Sequence, residues 1–409
     1  MMPAPAYEPS ATEGRACPGC GSADLRVFYE QRRVPAHSMI LCEARDEAVS
    51  FPRGDIVLAH CAECDFVSNL AFDATLGDYG PTYESSQASS GTFNRFQQSM
   101  VADLVERHHL RGKTVLEIGC GQGEFLLALC ETGGNEGVGL DPAYVGPPSV
   151  AAGDGRATFV AELLSSELPT SSVDFVCCKM TLEHISRPAE FVATIRRSLG
   201  ERRDVPVFMQ VPEAVRIFRG AAFWDVYYEH CSYFSPAALA SLFQREGFEV
   251  TRVERVYDGQ YLVVEALPSG AACRRPAADG HGMGSRPHVE TFAGRTGELV
   301  DGWKRRLREA AARSHRVIVW GGGSKAVAFL SAVDAGGAIG YVVDVNPRKW
   351  RTYLPSSGHL VAPPEAVRSD PPDLVVVMNP IYVEEIRRQL RGLGADPTIL
   401  ALAESPDDG

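Results

Sequence analysis

Apolar and polar positions change rhythm twice along the chain. Up to about Tyr79 the apolar residues lie scattered between short polar and turn-forming stretches without a long helical period, which predicts a small loop-rich module over residues 1–80. From Arg111 compact apolar runs alternate with amphipathic stretches, and residues 114–118, 137–140, 157–160, 173–180 and 205–211 read as strands. That alternation predicts a parallel, doubly wound α/β sheet. Two further runs, 249–257 and 260–266, are parted only by Asp258-Gly259, a hairpin signal, so they should pair antiparallel and close the sheet. Residues 81–268 therefore read as one domain. The stretch 269–287, rich in Pro, Gly, Ala and Arg, reads as a linker. Residues 288–409 then repeat the strand and helix texture, with strands expected at 316–320, 341–345, 374–378 and 398–402, which predicts a second Rossmann-like domain.

Composition narrows the partners. The 409 residues suffice for two to four domains of roughly 100–200 residues each. A net charge of −12 repels polyanions, which argues against nucleic acid or an anionic membrane surface as the main partner. An anionic small-molecule substrate would need local positive groups. No apolar run approaches the roughly 18–20 residues of a membrane span, and the start, MMPAPAYEPSATEGR, lacks a basic-then-apolar signal pattern. The expected setting is cytoplasmic, as a monomer or small homo-oligomer, where the eleven cysteines stay thiols or metal ligands.

Two glycine turns follow strands. In Glu117-Ile-Gly119-Cys120-Gly121-Gln-Gly123 the glycines permit tight turning and close backbone approach to a ligand at a helix start. Glu117 ends the strand, and Asp141 ends the next one, where an acid can accept from ribose hydroxyls. The bare glycine pattern also fits a dinucleotide site or plain packing. Combined with the later strand end Lys179-Met-Thr-Leu-Glu183-His184, it is similar to class I S-adenosylmethionine-dependent methyltransferases. The second turn, Gly321-Gly-Gly323-Ser324-Lys325, lacks the complete phosphate-loop pattern, so its glycines serve packing or a small anion nest.

Two Cys-x-x-Cys pairs, Cys17/Cys20 and Cys61/Cys64, can supply four thiolates in the tetrahedral set zinc prefers. Such a zinc would be structural. A redox pair or unligated thiols are the alternatives. Between residues 223 and 235 the chain packs Tyr227, Glu229 and His230 into one short segment, an acid–base set in which His removes a proton, a carboxylate raises its basicity and a Tyr hydroxyl steadies an enolate oxygen. His184 lies past a strand end, on the side where open α/β sheets bind ligands. An aromatic-rich structural loop is the alternative reading of this segment.

The order of a two-CxxC module, an S-adenosylmethionine fold, a Tyr-x-Glu-His-x-Ser-Tyr-Phe-Ser segment and a terminal Rossmann-like domain resembles the sugar C-methyltransferases of deoxysugar biosynthesis, the tetronitrose C-3 type in particular. The likeness extends to Tyr83-Glu-Ser85-Ser86 and to Asp344-Val-Asn346-Pro347-Arg-Lys349 and Tyr353-Leu-Pro355. It implies a nucleotide-linked 4-keto sugar as substrate, with His230 as base, Glu229 and Tyr227 beside it, and His184 as the second histidine. S-Adenosylmethionine would meet Glu117, Gly119, Cys120, Gly121, Gly123, Asp141, Lys179 and Tyr83. The chain departs from the family at Tyr228, where a His is usual, and at Asp258-Gly-Gln260-Tyr261, where Gly-Gly-Ser-x-Arg is usual. An O- or N-methyltransferase on another natural-product scaffold, or an assembly protein without catalysis, stays open.

Overall fold

The computed structural model describes residues 15–77, 79–80, 82–164, 172–269, 284–333 and 337–402. Most of the expected linker lies outside these residues. The first module is not loop-rich: Leu25–Pro35 (β1) and Arg53–Cys61 (β2) form a long antiparallel hairpin, and Val67–Asn69 (β3) pairs with β2. Its strands escaped the pattern because register shifts in β1, between Val27 and Tyr29 and between Gln31 and Val34, break the period of two.

The central sheet has eight strands. Thr114–Ile118 (β4), Glu136–Leu140 (β5), Gly155–Val160 (β7), Phe175–Lys179 (β8) and Val207–Pro212 (β9) are parallel, and Ser149–Ala152 (β6) pairs antiparallel with β7 at the edge. Ser232–Tyr233 (β10) leaves this sheet and pairs with β3, so the module built on β1 to β3 is completed by the chain just past His230. Phe248–Val256 (β11) and Tyr261–Pro268 (β12) form the expected hairpin and close the sheet in the order β11-β12-β9-β8-β4-β5-β7-β6. From β4 the chain first moves out to β5 and β7, then returns to β8 on the other side. Ligands bind at the carboxyl ends of strands at such a reversal.

The third sheet is all parallel: Val317–Trp320 (β13), Ile339–Val343 (β14), Val361–Ala362 (β15), Leu374–Val377 (β16) and Thr398–Ala401 (β17), ordered β15-β14-β13-β16-β17. Helix Arg286–Ala312 ties it to the first module. Val289 and Phe292 near its start pack with Tyr29, Ile56 and Phe218, whereas Trp303, Leu307 and Ala310 near its end pack with Val317, Val319 and Phe329.

Candidate active site

β4 delivers Glu117 and then turns through Gly119, Gly121 and Gly123 at φ +72°, +55° and +88°, a region that strains any L side chain. A Cβ at Gly119 would lie 2.0 Å from Thr181 Oγ1, and one at Gly123 would lie 2.5 Å from the Phe159 ring. Asp141, just past β5, fixes this turn: its Oδ2 accepts from the Gly121 N–H at 2.8 Å and its Oδ1 from the Ala143 N–H at 2.8 Å. Each oxygen keeps a lone pair for a ribose hydroxyl. Glu117 is 1% exposed, and its Oε2 has no hydrogen-bond partner among the described residues. Burial pushes its carboxyl up to about 8, with Lys179 pulling the other way. A buried, partnerless carboxylate oxygen beside a strained glycine turn fits a ligand bringing an ammonium and hydroxyl donors, as S-adenosylmethionine does. Cys120 offers only backbone here, because its thiol packs inward against Gly139. The Lys179 ammonium lies 5.3 Å and 5.4 Å from the Phe93 and Phe125 rings. Tyr83 stands edge-on to Tyr79 and His37.

Where β8 ends, His184 meets the segment that carries His230, and their ring centroids are 4.8 Å apart. Tyr227 packs on His230 at 4.4 Å and donates its hydroxyl to Asp225 Oδ1 at 3.0 Å. Asp225 is clamped by Arg216 at 2.7 Å and by Lys325, and these two cations hold its carboxyl well below the usual range although it is buried. His184 shares a hydrogen bond between its Nδ1 and the Tyr79 hydroxyl at 2.9 Å.

Two expectations fail at this cluster. Glu229 does not meet His230: its carboxylate accepts from the Ser38 N–H at 2.9 Å and from the Ser38 hydroxyl. A tight turn, closed by the His230 N–H on the Tyr227 carbonyl at 3.3 Å, sends the successive side chains apart. Nor is either imidazole poised near neutrality. Burial drives His184 down to about 3 and His230 well below its ordinary value, with His37 adding to the effect on His184 and His184 to that on His230. The sequence reading also passed over Glu183, whose carboxyl is 1% exposed and pushed up to about 8 by burial. Its place directly before His184, at a strand end on the ligand-binding side, was the available signal.

A cavity of about 340 Å³ opens between the hairpin turn at Asp258 and the third sheet. Arg216, Arg219, Arg255 and Lys325 line it, against Glu213 and Asp258 as the acids. Gln260 and Asn379 close one wall with reciprocal amide hydrogen bonds of 3.1 Å and 2.8 Å. Tyr228, the other family departure, is fully buried, and its hydroxyl accepts from the Asp73 N–H at 2.7 Å, so it braces the loop before Tyr79.

The four cysteines come together as expected. Cys17 and Cys64 are 3.7 Å apart at sulfur, Cys20 and Cys61 3.6 Å, and all four sulfurs lie within 4.8 Å of one another. Tetrahedral zinc with Zn–S bonds of about 2.3 Å needs sulfurs about 3.8 Å apart. Backbone bonds from Gly21 to Cys17 (2.8 Å) and from Asp65 to Cys61 (3.0 Å) shape the two knuckles. The cluster is compatible with a structural zinc. Asp65 carries this order onward, accepting from the Ser235 hydroxyl and from the Ser285 N–H.

Residues 93–253 match the family model of a methyltransferase domain, and residues 277–400 that of a C-methyltransferase C-terminal domain. C-methyltransferase NovU of Streptomyces niveus is 27% identical over 389 residues, 90% of each chain. The ubiquinone biosynthesis O-methyltransferase of Paraburkholderia xenovorans is 33% identical over 99 residues, 22% of this chain and 42% of that protein. A solved structure of 1,6-didemethyltoxoflavin-N1-methyltransferase from Burkholderia thailandensis covers 44% of this chain and 81% of its own, at 20% identity and a TM-score of 0.34.

Proposed function

We propose that this chain, a class I S-adenosylmethionine-dependent methyltransferase and a homologue of NovU over nearly its whole length, methylates a carbon beside the carbonyl of a nucleotide-linked keto sugar. The observation that carries the substrate class is the line from the basic cavity to the histidines: Lys325 pairs with Asp225, Asp225 accepts from Tyr227, and Tyr227 packs on His230. An anionic nucleotide would sit on Arg216, Arg219 and Arg255 and extend its sugar toward that cluster, in a protein whose net charge of −12 otherwise repels it.

When bound, the cofactor supplies a methyl group on a positively charged sulfur. Glu117, Gly119, Gly121, Gly123 and Asp141 would hold it, with Lys179 and Tyr83 flanking. His230 removes the proton from the carbon beside the carbonyl, while Tyr227 and His184 face the oxygen that becomes an enolate. Glu229, bound to Ser38, fixes the loop rather than the imidazole. Cys17, Cys20, Cys61 and Cys64 hold one structural zinc, so purified protein should carry one zinc per chain and lose thermal stability on chelation.

The domains at 1–80, 81–268 and 288–409 then divide the work into brace, methyl transfer and substrate wall. Acceptance of an O- or N-nucleophile is the second reading, favoured by the Gln260–Asn379 wall standing where the family has Gly-Gly-Ser-x-Arg. Mass spectrometry and NMR of a reaction with methyl-labelled S-adenosylmethionine and a panel of nucleotide-linked keto sugars test the proposal. A label bonded to carbon supports it. A label found only on oxygen or nitrogen, or no turnover at all, rejects it.

A further inference from the structure

The pocket around His230 disfavours an imidazolium, yet a base must hold the proton it takes while the enolate forms. Asp225 favours that charge from one side, but Arg216 and Lys325 already clamp it, and Lys325 opposes an imidazolium. A second carboxylate beside the ring is Glu183, in the short turn Leu182–His184 that follows β8. It is 1% exposed, and neither carboxylate oxygen has a hydrogen-bond partner among the described residues. One of its oxygens and one ring nitrogen each of His184 and His230 all lie within 4.8 Å of one another. A buried acid without a partner gives up the hydration of its oxygens with nothing in return, so its presence calls for a use. Its backbone carbonyl accepts from Cys231 Sγ at 3.7 Å, which pins the turn to the residue after His230. His184 is tied through Nδ1 to Tyr79, whereas the ring contacts of His230 are with the aromatic faces of Tyr227, His184 and Tyr233.

We propose that Glu183 is the positioning residue that gives His230 its basicity, its ionised carboxylate stabilising the imidazolium formed during proton abstraction. The proposal rests on the carbon-methylation reading. In the step, the C–H bond beside the carbonyl breaks, its proton bonds to His230, and its electron pair moves into the enolate. The enolate carbon then bonds to the methyl group as the sulfur–methyl bond breaks, leaving neutral S-adenosylhomocysteine, and the proton on His230 returns to solvent. The groups that face Glu183 are His184, His230 and Cys231 around the cluster, Cys178 and Lys179 from β8, Tyr79 and Tyr83 from the first module, and Tyr261 from β12. Of these, Lys179 favours the carboxylate, and burial opposes it.

The test needs no substrate in its first arm. Full-length protein with S-adenosylhomocysteine and ring-labelled histidine is titrated by NMR, the His230 signal being assigned by its loss in His230→Gln. We expect that signal to shift as the Glu183 carboxyl, raised by burial, titrates, and Glu183→Gln to abolish the step. Absence of the step in the wild type, or its survival in Glu183→Gln, overturns the proposal. In the second arm, with an accepted keto sugar, Glu183→Gln should lower exchange of the acidic proton with solvent deuterium by about 10²-fold. Affinity for S-adenosylhomocysteine should stay unchanged, and Glu183→Asp should recover part of the exchange rate. Wild-type exchange in Glu183→Gln overturns the proposal. A wild type that methylates no carbon at all overturns the carbon-methylation reading instead, and the titration then decides alone whether Glu183 and His230 are coupled.

Discussion

The turns after β4 and β13 are built alike and used differently. In the first, Gly119 N–H bonds the Leu140 carbonyl at 2.8 Å and Asp141 holds Gly121; in the second, Gly321 N–H bonds the Val343 carbonyl at 2.8 Å and Asp344 holds Gly322 at 2.8 Å. Two residues before the first glycine the chains part company: Glu117 stands in β4, Val319 in β13. Beside Gly121 an added Cβ would meet nothing within 4 Å, whereas beside Gly323 it would meet Met39 at 3.9 Å and Lys349 at 4.0 Å. The Lys349 ammonium donates to the Gly322 carbonyl at 3.3 Å and lies 3.6 Å from Asp344. The second turn thus carries its own cation where a ligand would lie, and its helix start serves the chain before it: Lys325 clamps Asp225, and the Ser324 and Ser38 hydroxyls are hydrogen-bonded at 2.7 Å. A glycine turn is only a backbone shape, and the side chains around it decide whether it binds a ligand or positions a neighbour.

Breaking the two turns in parallel gives the largest contrast. Gly119→Ala combines strain of about 1–3 kcal/mol with a clash on Thr181, and should weaken S-adenosylhomocysteine binding by about 10²-fold. Gly321→Ala should leave that affinity alone and lower only the melting temperature. Equal losses measured by titration calorimetry would erase the distinction. Next comes Lys325→Met, which should cut turnover about tenfold by freeing Asp225 and Tyr227 while cofactor affinity holds, since a misplaced group far from the cofactor acts on geometry. Asp344→Asn removes the partner of Lys349 and should cost roughly 1–3 kcal/mol of stability with no effect on cofactor binding; denaturant midpoints read it.

The first turn should also show a pH dependence. Burial raises Glu117 from 4.5 to about 8, so the folded chain binds its proton more tightly than the unfolded chain does. The corresponding stability is present below about pH 4.5 and is lost as the pH rises through about 8. Glu117→Gln should therefore melt above the wild type at pH 9 by more than it does at pH 5, in the absence of cofactor. A gap that does not widen with pH would contradict this.

The sheet of β4, β5, β7, β8 and β9 was legible because each strand is an apolar run bounded by turns, and the β11–β12 hairpin because Asp258-Gly259 announces it. β6 and β15 were too short to show a period, and β1 was hidden by its register shifts. At the site, the glycine turn and each Cys-x-x-Cys knuckle could be read from spacing because those shapes are local, and Asp141 because it ends the neighbouring strand. The meeting of the two knuckles across 41 and 47 residues is made by the fold. The direction of Glu229 could not: its partner Ser38 lies 191 residues away, and only the fold brings them together. Lys349 likewise reaches the second turn from beyond β14, so the sequence of the turn itself gives no hint of the cation beside it.

The most direct test of the central claim is solvent-deuterium exchange at the carbon beside the carbonyl, in an accepted nucleotide-linked keto sugar, with S-adenosylhomocysteine in place of the methyl donor. The account predicts that the wild-type protein catalyses this exchange and that His230→Gln slows it by about 10²–10⁴-fold with cofactor affinity intact. Methyl transfer to the sugar without exchange at that carbon, or exchange that His230→Gln leaves unchanged, would contradict it.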